Sequence, residues 1–167
     1  MTSLIDRLSG QAPLLILLAS AAALGGAFVG QYGFDLHPCV LCIYQRWPYV
    51  AAAAIALALW AVLRRRPALA APVLVLAALA FATTAAIAGF HVGVEQHWWQ
   101  GTAACGGAGT PDSVDALRAL LKSAPVVRCD DVAWSLFGVS MAGWNLLYGA
   151  GLAVLCLVLA RHRAVLS

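Results

Sequence analysis

Cys39-Val40-Leu41-Cys42 forms a CxxC dithiol where one long apolar stretch has ended and another is about to begin. The motif alone fits half of a zinc site, a thioredoxin-type redox centre, or chance. At the mouth of a transmembrane helix, however, a dithiol reaches both an aqueous protein and a lipid-soluble small molecule. Two further cysteines, Cys105 and Cys129, lie in a later polar segment, and Cys156 lies in the last apolar block. A thiol reacts as its thiolate, which positive charge or a helix N-terminus favours. Arg46 stands four residues after Cys42, so both influences act on Cys42 if the second helix starts near Ile43. Pro48 complicates that register, because a proline favours a start close to it or a kink. The plain alternative for Arg46 is a snorkelling anchor at the interface. His91, directly after Phe90, falls at the outer end of the third apolar block at a depth similar to Arg46; its plain alternative is an interfacial polar residue.

These side chains are set in a chain of 167 residues that is 63% hydrophobic and 10% charged. Soluble domains carry roughly a quarter charged residues, so this is an integral membrane protein. Four apolar blocks are readable, at about Ala12 to Gln31, Tyr44 to Leu63, Leu69 to Phe90 and Trp144 to Ala160. Each is close to the roughly 20 residues a spanning helix needs. Rich in Ala, Leu and Val and without alternating polarity, they satisfy their backbone hydrogen bonds in lipid as helices rather than barrel strands. The expected fold is an all-α, four-transmembrane-helix bundle forming a single integral membrane domain over residues 1–167. The N-terminal apolar run exceeds the roughly 7 to 15 residues of a signal-peptide core, so it is read as the first span.

Arg7, Arg64-Arg65-Arg66 and the Arg161/Arg163 pair mark the N-terminus, the connection between spans two and three, and the C-terminus as cytoplasmic. The remaining loops, about Tyr32 to Ile43 and His91 to Gly143, then face the other side and hold four of the five cysteines. Disulfides persist outside the cytoplasm, so those four cysteines face the compartment where thiol oxidation is useful. Cys156 reads as a small buried hydrophobe. The net charge of +3 comes from basic residues clustered beside apolar ends, which gives no support to nucleic-acid binding.

In the second loop, Thr110-Pro111 offers a cap and first-turn proline, and Val114, Leu117, Leu120 and Leu121 follow at helical spacing, which predicts a short amphipathic helix. The run Cys105-Gly106-Gly107-Ala108-Gly109 predicts a mobile segment that leaves Cys105 accessible to another protein. Glu95, His97, Trp98 and Trp99 read as an interfacial belt. Trp134, Leu136, Phe137, Val139 and Met141 make an apolar stretch too short to span, expected to lie in the interface with Trp144 as anchor.

Two bland readings compete with redox chemistry. A zinc site completed by Cys105 and Cys129 is disfavoured because those two are far apart and form no second CxxC. Purely stabilising disulfides suit Cys105 with Cys129, where closing the loop contributes on the order of 3 kcal/mol. They suit Cys39 with Cys42 poorly, since a CxxC ring closes almost no chain.

The segment Phe34-Asp35-Leu36-His37-Pro38-Cys39-Val40-Leu41-Cys42-Ile43-Tyr44-Gln45-Arg46-Trp47 resembles the signature of the bacterial disulfide bond formation protein B family, DsbB. The resemblance continues through His91, Cys105, Cys129 and Trp134 to Trp144. It implies a relay in the inner membrane. Cys105 and Cys129 accept electrons from a reduced DsbA-like periplasmic thioredoxin-fold protein, with Cys105 forming the mixed disulfide. Cys39 then exchanges with Cys129, and Cys42 engages ubiquinone or menaquinone, with Arg46 close to a quinone oxygen and His91 a further contact. No nucleotide or metal is implied. Gln45 departs from the family pattern, in which an acidic residue can precede the arginine, and the run around His91 aligns only by the histidine. A paralogous oxidase with a dedicated partner, a quinone reductase of the vitamin K epoxide reductase type, and a zinc-binding or structural membrane subunit are the alternatives.

Overall fold

A computed structural model describes residues 2–105, 113–115 and 127–166. Helices α1 (Thr2–Gly33), α2 (Val40–Arg65), α3 (Ala70–Glu95) and α4 (Met141–Leu166) are joined by a short loop, a 3₁₀ turn at Pro67–Leu69 and a long segment. Each of the four is long and apolar enough to cross a membrane. Their large side chains point outward: Leu76, Leu79, Leu157 and Trp60 are exposed. Inside, alanines at 52, 56, 77, 78, 153 and 160 pack with Leu59, Leu74 and Phe81. Lipid tails are as apolar as leucine, so helices associate where small residues let backbones approach. Gly149 shows how closely: a Cβ there would lie 3.2 Å from the Phe81 carbonyl oxygen and 3.0 Å from Thr84 Cγ2. The α3/α4 contact is the most extensive, and α1 packs more sparsely, against α2 and α4.

The spans run longer than the apolar blocks because helices continue past the hydrophobic run into the interface. At one end Asp6 and His162 meet at 2.6 Å, joining the start of α1 to the end of α4. Arg7, Arg64 to Arg66, Arg161 and Arg163 share this end of the bundle, and the CxxC and second loop share the other. Cys156 is buried in the core with Leu159 and Ala160, as a small hydrophobe.

Several boundaries correct the sequence reading. Helix α2 begins at Val40 and runs through Pro48, so Pro48 neither starts the helix nor ends it. Neighbouring helices make an internal proline tolerable in a membrane span. His91 and Glu95 lie in the last turns of α3 rather than in the loop. The apolar stretch expected in the interface folds into a hairpin, β1 (Ser135–Leu136) against β2 (Val139–Ser140), with Ser135 facing Ser140. Its two turn residues, Phe137 and Gly138, have φ of 52° and 75°. Positive φ at both central positions matches the strand twist of a two-residue hairpin, and glycine takes it without strain. The amphipathic helix expected from Val114, Leu117, Leu120 and Leu121 lies, apart from residues 113–115, outside the described residues, as does the run Gly106 to Gly109.

Candidate active site

The outer ends of α2 and α3 hold the chemistry. Cys39 is the N-cap of α2, with φ −70° and ψ 170°, and its sulfur accepts the Cys42 backbone N–H at 3.3 Å. The helix N-terminus therefore acts on Cys39, not on Cys42 as the expected start near Ile43 required. Cys42 occupies the first turn, its sulfur 3.1 Å from that of Cys39. His91 Nε2 lies 3.5 Å from the Cys39 sulfur on the buried side. The hydrogen bond with the Cys42 thiol, opposed by burial and reinforced by His91, holds the Cys39 thiol well below the ordinary thiol range. Of the two sulfurs, Cys39 is therefore the one whose thiolate these contacts favour.

Cys105 and Cys129 are joined as a disulfide. They pack in one apolar cluster with Cys39, Leu41 and Val94, against which Val40, Cys42 and Val127 rest. Cys129 is completely buried and Cys105 is 8% exposed, so access to Cys105 is narrower than a free mobile loop would give. The cause is that apolar cluster, which seats the disulfide on the helix ends. A surface cleft of about 820 Å³ reaches Cys105 from outside, lined by Val94, His97, Trp98, Trp99 and Arg128. Beside Cys129, the Arg128 guanidinium grips Asp130 and holds its carboxyl down at about 2. His91 joins the two cysteine pairs, because its Nε2 also lies 3.1 Å from the Cys129 carbonyl oxygen.

A second cleft, of about 510 Å³, opens on the other side of the CxxC between α1, α2 and α4. Ala23, Gly26 and Gly30 of α1 form one wall, and Cys42, Arg46 and Trp144 stand opposite. Its size is that of a small-molecule site. Arg46 does not hang free: it donates to Gln31 Oε1 at 2.7 Å and sits 5.2 Å above the Phe28 ring. Both partners are on α1, so α1 aims the guanidinium across the cleft.

Glu95, read from sequence as part of an interfacial belt, is buried instead. Its Oε2 accepts the Ser140 hydroxyl at 2.5 Å, and Ser140 Oγ in turn accepts the Gly143 N–H at the start of α4. Trp99 folds back on α3, donating to the Phe90 carbonyl at 2.9 Å and stacking on its ring. That placement requires Gly93, where a Cβ would lie 2.0 Å from Trp99 Cζ2. Gln45, notable in the sequence only as a departure from the family pattern, joins Thr84, Asn145 and Tyr49, which the sequence did not single out, in a largely buried hydrogen-bonded chain behind His91. The signal was available, since polar side chains inside apolar spans are costly and mark function.

The ligating atoms of Cys39, Cys42 and His91 lie within 4.8 Å of one another. Such a trio resembles a partial metal site, but a helix N–H and the histidine ring converge on one sulfur, an arrangement that stabilises a thiolate without an ion.

Fold and site together define a four-span membrane protein carrying two pairs of cysteines at one end, one joined as a disulfide whose Cys105 lines a surface cleft and the other lining a cleft between helices. The family model for "Disulfide bond formation protein DsbB" matches residues 9–159, and the chain belongs to that family. It is 33% identical over 155 residues to disulfide bond formation protein B of Aromatoleum aromaticum, covering 86% of this chain and 87% of that protein. Disulfide bond formation protein B 2 of Pseudomonas syringae is 31% identical over 154 residues, 84% of this chain and 82% of the relative. An uncharacterised Rickettsia prowazekii protein is 29% identical over 137 residues, 80% of this chain and 77% of its own length. No solved structure matches the chain significantly. The protein is a disulfide oxidoreductase of disulfide bond formation and a multi-pass bacterial membrane protein.

Proposed function

We propose that this protein oxidises a periplasmic DsbA-like thioredoxin-fold dithiol and delivers the electrons to membrane quinone, with both termini in the cytoplasm. The observation that carries this reading is the position of the CxxC between two clefts. On one side it shares a buried cluster with the Cys105–Cys129 disulfide, and on the other Cys42 and Arg46 face an apolar cleft between helices.

The partner's thiolate attacks Cys105 and forms a mixed disulfide, and Cys129 leaves as thiolate. Cys129 attacks Cys39 of an oxidised CxxC, and Cys42 leaves with the electron pair into the cleft. Cys105, released by the partner's second thiol, then attacks Cys129, and Cys39 leaves as thiolate. The result is a Cys105–Cys129 disulfide beside a Cys39/Cys42 dithiol, the same arrangement as that described above.

In favour of ubiquinone or menaquinone, the second cleft has small apolar walls and a polar end that carries a fixed guanidinium. A bound quinone supplies a two-electron acceptor. Arg46 would stabilise negative charge developing on the bound quinone, Cys42 would supply the reacting sulfur, and His91 lines the same cleft. The low dielectric of the bundle strengthens the Arg46 contribution.

The test is turnover. Purified protein with ubiquinone should oxidise a reduced periplasmic thioredoxin-fold protein, and menaquinone should be compared in the same assay. Quinone reduction at the wild-type rate by Cys42→Ser would overturn the reading of Cys42.

A further inference from the structure

Gln45, Thr84, Asn145 and Tyr49 sit in three apolar spans and take no part in the exchange chemistry. We infer that Gln45, oriented by Asn145, is a positioning residue that holds His91 as its Nε2–H tautomer, so that the ring donates toward the sulfur of Cys39. The inference deepens the proposed relay and rests on its assignment of Cys39 to exchange.

Donors and acceptors along the chain fix one another in turn. A carbonyl oxygen only accepts, so the Leu41 carbonyl, 3.2 Å from the Gln45 amide, turns the NH₂ of that amide toward it. The same NH₂ faces His91 Nδ1 at 3.1 Å. Gln45 Oε1 then accepts from Asn145 Nδ2 at 2.5 Å. The other Asn145 N–H reaches Thr84 Oγ1 at 3.2 Å, whose own proton goes to the Gln45 backbone carbonyl at 3.0 Å. Asn145 Oδ1 accepts the Tyr49 hydroxyl at 2.5 Å. Every member is satisfied in one direction only, and reversing Gln45 would set its oxygen against the Leu41 carbonyl.

Nδ1 of His91 therefore receives a hydrogen bond and carries no proton, and the ring proton resides on Nε2. That atom faces the Cys39 sulfur at 3.5 Å and the Cys129 carbonyl at 3.1 Å. Glu95 Oε1, at 3.9 Å, is beyond hydrogen-bond reach, and the other Glu95 oxygen is taken by Ser140. As Cys105 bonds Cys129 and the Cys39–Cys129 bond breaks, the electron pair arrives on Cys39, where the Nε2–H meets it. A fixed donor stabilises this leaving thiolate and keeps it stable for the next cycle.

Ring ¹⁵N NMR of the full-length dithiol form in nanodiscs, with His91 assigned from a His91→Asn variant, reads the tautomer without any turnover. An unprotonated Nδ1 and a protonated Nε2 are expected; a proton on Nδ1, alone or with Nε2, overturns the inference. Gln45→Glu, whose carboxylate accepts from the ring, should move the proton to Nδ1, and a retained wild-type pattern counts against Gln45. Gln45→Met should slow alkylation of Cys39 at mildly acid pH about tenfold, with no further effect in the His91→Asn background. An additive effect there would mean that Gln45 acts only on packing and would also overturn the inference. If both variants fail to fold, the wild-type spectrum still decides. None of these readouts needs quinone or partner, so failure of the relay is seen separately in the turnover assay.

Discussion

The Cys42 backbone N–H points at the Cys39 sulfur from 3.3 Å, so α2 gives its free N-terminus to one thiol of the CxxC and not to the other. Combined with His91 Nε2 at 3.5 Å, this makes the two cysteines chemically unequal although only two residues separate them. Both line the cleft between helices and both lie against the second disulfide, Cys39 as a buried member of that cluster and Cys42 resting on it.

Alkylation of the reduced protein should expose that inequality. With its thiol held low by Cys42 and His91, Cys39 should react at a rate nearly independent of pH from about 8 down to about 6, where an ordinary thiol of pKa about 8.5 loses most of its thiolate. The linked stability has a definite sign. A depressed folded-state value stabilises the reduced fold fully above the ordinary thiol pKa, and this is lost as pH falls toward the depressed value. The reduced protein should therefore melt at progressively lower temperature on acidification, and His91→Asn should weaken that dependence.

Capture of the partner should distinguish the two loop cysteines. Incubated with the oxidised partner, Cys129→Ala should accumulate a mixed disulfide, because its free Cys105 thiolate attacks the partner's disulfide and releases a partner thiolate, whereas Cys105→Ala should accumulate none. Mass spectrometry of the trapped species locates the bond. A partner joined to Cys39 would reverse the proposed order of exchange.

Arg46 should matter to quinone and not to the protein partner. Arg46→Leu should lower kcat/KM for quinone by about tenfold or more, the effect of losing a hydrogen bond from a charged group. Gln31→Leu should raise KM a few-fold by releasing the guanidinium from α1. Single-turnover formation of the mixed disulfide with reduced partner should be unchanged in both.

The α3/α4 contact supplies a stability test. Gly149→Leu forces a side chain against the Phe81 carbonyl and Thr84 and should cost about 1 to 3 kcal/mol, seen as a lower unfolding temperature in detergent. Gly151→Ala is the control. No atom lies within 4 Å of the added Cβ, so stability should be unchanged or slightly higher.

The sequence by itself determined the four spans, the shared end of the basic residues and the pairing of cysteines with the opposite end. Those follow from composition and length, because hydrocarbon demands runs of apolar residues whose backbones bond internally. It also supplied Arg46 and His91 by type and approximate depth. The tertiary structure alone decided which thiol the helix N-terminus serves, since N-cap geometry depends on the start of α2 at Val40 and Pro48 pointed elsewhere. It likewise moved Glu95 from the surface to a buried contact with Ser140, a residue distant in sequence that the hairpin brings back. The chain from His91 through Gln45 to Asn145 belongs to the same class. Each polar residue in a span was visible one by one, but a hydrogen-bond direction emerges only when three helices set donors against acceptors. That network meets the CxxC at one sulfur, through His91 Nε2 at 3.5 Å from Cys39.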